Sequence, residues 1–217
     1  MKSVYFLSDA HLGCRSIPHD RTRERRLVRF LDGIKDKASA VYLLGDIFDF
    51  WYEYKTVVPR GYTRFLGKLS ELADRGVEVH FFTGNHDIWC GDYLVKECGV
   101  TLHTEPMTVE MGDKVFMLAH GDGLGDPDRK FRFLRAVFRN RLCQRMFSCI
   151  HPRWAVDFGL SWAAHSRLKH GVEGGDPPYL GEDKEYLVRF AKEYLKAHSE
   201  INYFIFGHRH IELDLML

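Results

Sequence analysis

Five short apolar runs in this chain each end in a cluster of polar residues, and that punctuation limits the fold more than any other feature. SVYFL runs into SDAHLG, AVYLL into GDIFD, VEVHFF into TGNHD, KVFMLA into HGD, and NYFIF into GHRH. Runs this short, rich in β-branched and aromatic residues, read as buried strands. Helical stretches separate the first three. Residues 20–36 carry Leu27, Phe30, Leu31 and Ile34 at helical spacing, and residues 62–75 carry Phe65, Leu66, Leu69 and Leu72 on one face. Strands alternating with helices of this length imply βαβ units, hence an α/β fold with a largely parallel sheet.

From about residue 100 the pattern changes. VTLH, MTVEM and KVFMLAHGD are strand-like, and MGDK reads as a hairpin turn, so a second sheet is expected. Residues 128–170 read as two helices broken near HPRW, where Pro152 interrupts the pattern. GVEGGDPPYLGED is a loop by its Gly and Pro content, and a helix at 182–198 leads to the last strand. With 217 residues, 45% hydrophobic and 28% charged, the chain is expected to form a single domain with a sizeable core. A net charge of +1 argues against a nucleic-acid-seeking protein. Five cysteines (Cys14, Cys90, Cys98, Cys143, Cys149), without a CxxC pair, point to a reduced, cytoplasmic setting. The first residues do not read as a secretory signal, and no apolar stretch approaches the ~20 residues of a membrane span.

In open α/β sheets ligands sit beyond the carboxyl ends of the strands, so the polar clusters should meet on one rim. Their inventory is Asp9, His11, Asp46, Asp49, Asn85, His86, Asp87, His120, Asp122, His208 and His210. Imidazole and carboxylate without thiolate suit manganese, iron, zinc or cobalt. Asp9 and His11, like His208 and His210, are two residues apart, so at a strand end each pair reaches the same side. Seven ligands exceed one ion with room for substrate, but fit two metals sharing a carboxylate, roughly 3.5–4 Å apart. A lone Gly-Asp or Asn-His-Asp is usually a turn, and single histidines such as His80, His103, His151, His165, His170 and His198 read as ordinary core or surface residues. The series of five is what points to metal.

The ordered set Asp9-x-His11, Gly45-Asp46 with Asp49, Gly84-Asn85-His86-Asp87, His120 and Gly207-His208-x-His210 resembles the motifs of the calcineurin-like metallophosphoesterase superfamily over nearly the whole chain. The resemblance implies a two-sheet sandwich flanked by helices. It also implies that Asp9, His11, Asp46 and His210 hold one ion, and that Asp46, Asn85, His120 and His208 hold the second, Asp46 bridging. His86, oriented by Asp49, would stand near the leaving group as acid or charge stabiliser. Within the superfamily, LSDAHLG, GDIFDFW and HGDGLGDPDRKFRFLR are similar to the UDP-2,3-diacylglucosamine pyrophosphatases of lipid A synthesis. That implies a helical lid inserted at about residues 123–172 and a manganese-dependent enzyme. Its products would be UMP and 2,3-diacylglucosamine 1-phosphate, released at the cytoplasmic face of the inner membrane of a Gram-negative bacterium. Two features depart from that group. His86 stands where its members often carry Arg, and the chain stops seven residues after His210, where the family continues through further strands. The second sheet is therefore expected to be truncated or completed unusually. Hydrolysis of soluble nucleotides or cyclic phosphodiesters, and a non-catalytic interaction role, are the alternatives; no obligate protein partner is expected.

The expected lid has its own signature. Residues 129–153 hold eight basic residues and no acidic one, interleaved with Phe131, Phe133, Leu134, Phe138, Leu142, Met146 and Phe147. A solvated helix face normally mixes signs. A basic amphipathic helix favours an anionic membrane surface, and here its apolar side could shelter acyl chains. Packing of that side on the core and a nucleic-acid groove are the competing readings.

Overall fold

The computed structural model describes residues 2–15, 20–169 and 178–217. Its first half builds the alternation the sequence announces: β1 (Ser3–Leu7), α1 (Asp20–Ile34), β2 (Ala38–Leu44), α2 (Thr63–Asp74), β3 (Glu78–Phe82), α3 (Tyr93–Cys98) and β4 (Thr101–His103). The four strands are parallel and lie in sequence order. The connecting helices α1, α2 and α3 share one face, all contributing to a single core, as same-handed crossovers between successive neighbours require. Along β2 the side chains then divide. Val41 and Leu43 join Leu31, Phe65, Leu69 and Leu72 in a core beneath the helices, while Tyr42 and Leu44 join Phe82 and Leu118 on the other face. Burying a large apolar side chain such as Leu43 or Phe81 is worth about 1.5–3 kcal/mol.

That other face is covered by a second sheet of β5 (Met107–Met111), β6 (Lys114–Ala119) and β7 (Tyr203–Phe206). β5 and β6 form the expected hairpin, turning at Gly112, whose φ of 66° suits glycine, and β7 adds parallel to β6. The last helix (Tyr186–Ala197) packs outside this sheet, with Phe190 against Phe206 and Tyr194 against Phe204. The fold is thus an α/β sandwich of two sheets flanked by helices.

Two sequence expectations need correction. VTLH, grouped with the second sheet, is β4 and pairs parallel to β3 in the first. The described part of residues 128–170 forms three helices, not two: α4 (Arg129–Arg139), α5 (Arg141–Ser148) and α6 (Pro152–Lys169). The first break falls at Asn140, whose side chain accepts from the Leu142 and Cys143 amides and so caps α5. Pro152 does not interrupt a helix; it opens α6, where its missing N–H is no loss. The end of the expected 123–172 segment and the loop at 171–177 lie outside the described residues, as does His170.

Numbering the last helix α7, the elements leave one rim where β1, β2, β3, β6 and β7 all end. Backbone pairing continues past the strands there. His11, Leu12 and Asp49 amides donate to Asp46, Ile47 and Leu12 carbonyls at 2.8–2.9 Å. The polar clusters are therefore held by the sheet's own hydrogen bonds.

Candidate metal centre

All seven expected ligands meet on this rim. His11 Nε2 lies 3.0 Å from His210 Nε2, and Asp9 Oδ1 lies 3.2 Å from His210 Nε2. On the other side His120 Nε2 lies 3.3 Å from Asn85 Oδ1 and 3.2 Å from His208 Nδ1. Asp46 Oδ2 is common to both groups, 3.8 Å from His11 Nε2 and 3.3 Å from His120 Nε2. Ligand atoms of Asp9, His11 and His210, and of Asp46, His120 and His208, fall within 4.8 Å of one another in each set; His86 joins His11 and Asp46 in a third.

The backbone is strained where these side chains converge. Six non-glycine residues have positive φ among the described residues, and five of them are Asp9, His11, Asp46, His208 and His210. A left-handed conformation at a non-glycine residue costs on the order of 1 kcal/mol or more, and persists where the surroundings over-determine it. Asp87 is one such brace. Fully buried, it accepts from the Gly84, Asp46, Ile47 and Phe48 amides at 2.7–3.3 Å, stitching GNHD to GDIFD. Burial and the adjacent Asp46 push its carboxyl up to about 7, against the pull of those donors. Glycine is required at position 45, where φ is 84° and a Cβ would meet His120 Nδ1 at 2.6 Å. The GHRH loop is tied on both sides. The His208 amide donates to the Asp9 carboxylate, and Arg209 makes a two-pronged pair with buried Glu185, Nε and Nη2 each 3.0 Å from an oxygen.

Neighbouring acceptors orient the imidazoles. His120 Nδ1 donates to the Leu44 carbonyl at 2.8 Å, turning the Nε2 lone pair into the site. His11 Nδ1 faces Asp49 Oδ1 at 3.4 Å with the same result. His86 Nδ1 donates to the main-chain carbonyl of Asp49 at 2.9 Å, with the carboxylate 3.7 Å away. Asp49 thus orients His86 through its backbone and His11 through its side chain. Burial disfavours charge on His120, yet Asp46 and Asp9 raise it to about 10; burial and His120 together pull His208 down to about 4. Protons here occupy lone pairs that cations would otherwise take.

An apolar cavity of about 120 Å³ opens from His86 and Asn85 beneath α4–α6, lined by Phe50 and Trp89 from the rim and by Phe131, Phe138, Phe147 and Trp162 from the helices. No residue of α4 or α5 is buried. The apolar side is divided: Phe138 and Phe147 pack on Trp89 of the rim, whereas Phe133 is 72% and Leu142 66% exposed, as is Trp154 (69%) at the start of α6. The rim grips these helices by their carbonyls, Trp89 Nε1 donating to Phe138 and Tyr52 to Gln144. Buried Asp122 pairs with Arg135 of α4. His80 and His103 pair with each other at 3.0 Å, apart from the ligand groups. Glu185, Arg209 and Trp89 carried no signal in the sequence, because each acts with a partner on a distant element, and Arg135 entered only as one of the eight basic residues of 129–153.

The profile of the Calcineurin-like phosphoesterase family matches residues 2–212. A "UDP-2,3-diacylglucosamine hydrolase" of Porphyromonas gingivalis is 45% identical over 99% of this chain and 85% of its own length. One of the same description from Neisseria meningitidis is 33% identical over 81% and 72%. Among solved structures, a protein of unknown function from Aquifex aeolicus aligns with a TM-score of 0.41 at 18% identity, over 63% of this chain and 69% of that one. On the family match and the 45% and 33% identities of the two hydrolases, the chain belongs to the calcineurin-like phosphoesterases.

Proposed function

We propose that the chain hydrolyses the diphosphate of UDP-2,3-diacylglucosamine to UMP and 2,3-diacylglucosamine 1-phosphate, using two divalent metal ions. The observation that carries this reading is that Asn85 and His86 border both the polar rim and the apolar cavity, so phosphate chemistry and a lipid chain meet at two residues. The activity named for the relatives supports the same substrate.

The donor set fits the metals. Imidazole nitrogens facing each other at 3.0 Å beside carboxylates are an arrangement that a cation between them stabilises. Asp9, His11, Asp46 and His210 would hold one ion and Asp46, Asn85, His120 and His208 the other, manganese first, with iron, zinc or cobalt as substitutes. Bound there, the ions supply Lewis acidity toward phosphate oxygens and lower the pKa of water. The chain's own residues do the rest. Asp46 reaches both ligand groups. Asn85, a neutral ligand, limits the site's negative charge toward an anionic substrate. His86 donates Nδ1–H to Asp49, so it presents a proton on Nε2 only as imidazolium. In that form it stabilises charge on, or protonates, the leaving oxygen.

In this reading α4–α6 form a lid within a single domain. The cavity is smaller than the roughly 300–1,000 Å³ of ordinary ligand pockets, so acyl chains enter as the helices shift outward. α4 and α5, which bury no residue, open at low free energy, while α6 is anchored by buried Ala155 and Ala163. Their exposed Phe133, Leu142, Met146 and Trp154, set among arginines, would rest on an anionic membrane, at the cytoplasmic face of the inner membrane of a Gram-negative bacterium. No helix among the described residues is long and apolar enough to cross a membrane. Replacing residues 129–163 by a short Gly-Ser loop tests the lid. Hydrolysis of bis(p-nitrophenyl) phosphate should survive, while turnover of the lipid nucleotide and binding to anionic vesicles fall sharply. Equal loss on both substrates in a folded variant would reduce the segment to a structural part.

A further inference from the structure

Among the described residues, Arg135 of α4 is the one arginine or lysine that lines the apolar cavity, and it shares that lining with Asn85 and His86. It also borders a small recess beside His120, so it stands where the second ligand group meets the lid. Two contacts fix it there. Its Nε donates to the buried carboxylate of Asp122, in the same turn as His120. Its Cδ and Nε lie so close over Gly123 that a Cβ on that residue would meet both at 3.1 Å, and the φ of 75° there also suits glycine. Nη1 and Nη2 make no hydrogen bond among the described residues. Asp122 keeps 4% of its side chain in solvent and Arg135 keeps 24%, so the outer end of the guanidinium is reachable. A tie between lid and rim would be satisfied by the ion pair alone. A guanidinium held at Nε with both Nη groups open is in addition a preset fork for a phosphate.

Position selects which phosphate. His86 meets the leaving oxygen and lines the apolar cavity, so the phosphate that departs with the lipid lies on that side of the ligand groups. A charged group at the mouth of an apolar cavity needs a fixed counter-charge. We propose that Arg135 binds this phosphate, the one that is not attacked, through its Nη groups, and that Asp122 acts as its positioning residue. As the bridging oxygen leaves the attacked phosphorus, the negative charge that grows on the departing phosphate meets Arg135 as well as His86. The inference rests on the proposed function in taking the substrate to be a diphosphate. It adds a residue that distinguishes a diphosphate from a simple diester.

Calorimetric titration of the manganese-loaded protein with UDP and with UMP tests it, the second phosphate of UDP standing in for the one that leaves with the lipid. The wild type should bind UDP more tightly than UMP. Arg135→Gln should cut that preference roughly tenfold or more, the worth of a charge-assisted hydrogen bond, and leave UMP within about twofold of wild type. Arg135→Lys, which keeps the charge but not the fork, should fall between the two. Asp122→Asn combined with Arg135→Gln strands no buried charge and keeps the test open should the single variant not fold. Equal weakening of both nucleotides, or no change in either, would overturn the proposal and leave Arg135 a tie between lid and rim. A chain that leaves the lipid nucleotide uncleaved yet loses its UDP preference in Arg135→Gln would reject the substrate reading and keep the phosphate subsite.

Discussion

Glu185→Gln removes the charge that holds Arg209, and the burial of the pair sets the size of the effect. Glu185 is 3% exposed; its carboxylate accepts both Arg209 nitrogens at 3.0 Å and the Leu180 amide at 3.1 Å. Removing one partner of a buried ion pair typically costs ~3–5 kcal/mol. Arg209 keeps 22% of its side chain in solvent and glutamine keeps one acceptor oxygen, so the low end applies, ~3 kcal/mol. For a chain of this length that is a fall in Tm of roughly 6–12 °C. Arg209 also lies between His208 and His210, whose φ values of 69° and 50° persist only while the loop is held. Manganese affinity should therefore fall with stability, whereas Leu69→Ala in the helix-side core should lower Tm alone. The pH dependence has a definite sign. Arg209 holds the Glu185 carboxyl below 4.5, so its contribution is present above that pH and is lost as pH falls through the folded value. Melts and manganese titrations of the wild type, Glu185→Gln, Arg209→Met and the double variant give the coupling, expected above ~1 kcal/mol. A coupling near zero with unchanged manganese affinity would refute the argument.

Asp46→Ala should leave a folded chain that binds neither ion tightly, because Asp46 reaches both ligand groups; elemental analysis showing two ions per chain would contradict this. His86→Ala should retain metal while turnover falls by ~10²–10⁴-fold, as expected for a lost acid or charge-stabilising group. Unchanged turnover on a substrate with a poor leaving group would remove His86 from that role. Asp87→Ala strands four buried amides and should destabilise by several kcal/mol, at ~1–3 kcal/mol for each unsatisfied group. A melt within 2–3 °C of wild type, equivalent to ~1 kcal/mol, would show that water replaces the carboxylate.

The rim was legible because each of its parts is local. An apolar run followed by GD or GNHD fixes both the strand and the place where its side chains leave the sheet, so Asp9, Asp46, Asn85 and His210 could be placed together without coordinates. What escaped depends on long-range pairing or on fine backbone geometry. β4 joins the first sheet because the six-residue α3, too short to show helical periodicity, carries the chain across. Pro152 gave the wrong signal, since a proline inside a helix and one at its first turn look alike in sequence. Glu185 and Arg209 lie 24 residues apart, and nothing in either neighbourhood marks the other. The left-handed conformations of five expected ligands follow from how the loops are tied; Asp and His are enriched in that region, but most Asp and His residues lie outside it, so residue type alone does not mark them.

Incubating the manganese-loaded chain with UDP-2,3-diacylglucosamine in heavy-oxygen water, and weighing both products by mass spectrometry, bears on the dimetal diphosphate hydrolysis itself. UMP and 2,3-diacylglucosamine 1-phosphate should form in equal amounts, with one heavy oxygen shared between each product pair, and formation should stop when a chelator removes the metal. Release of intact UDP with a free sugar lipid would contradict the account, as would a folded, metal-loaded chain that cleaves small diesters and leaves the lipid nucleotide untouched.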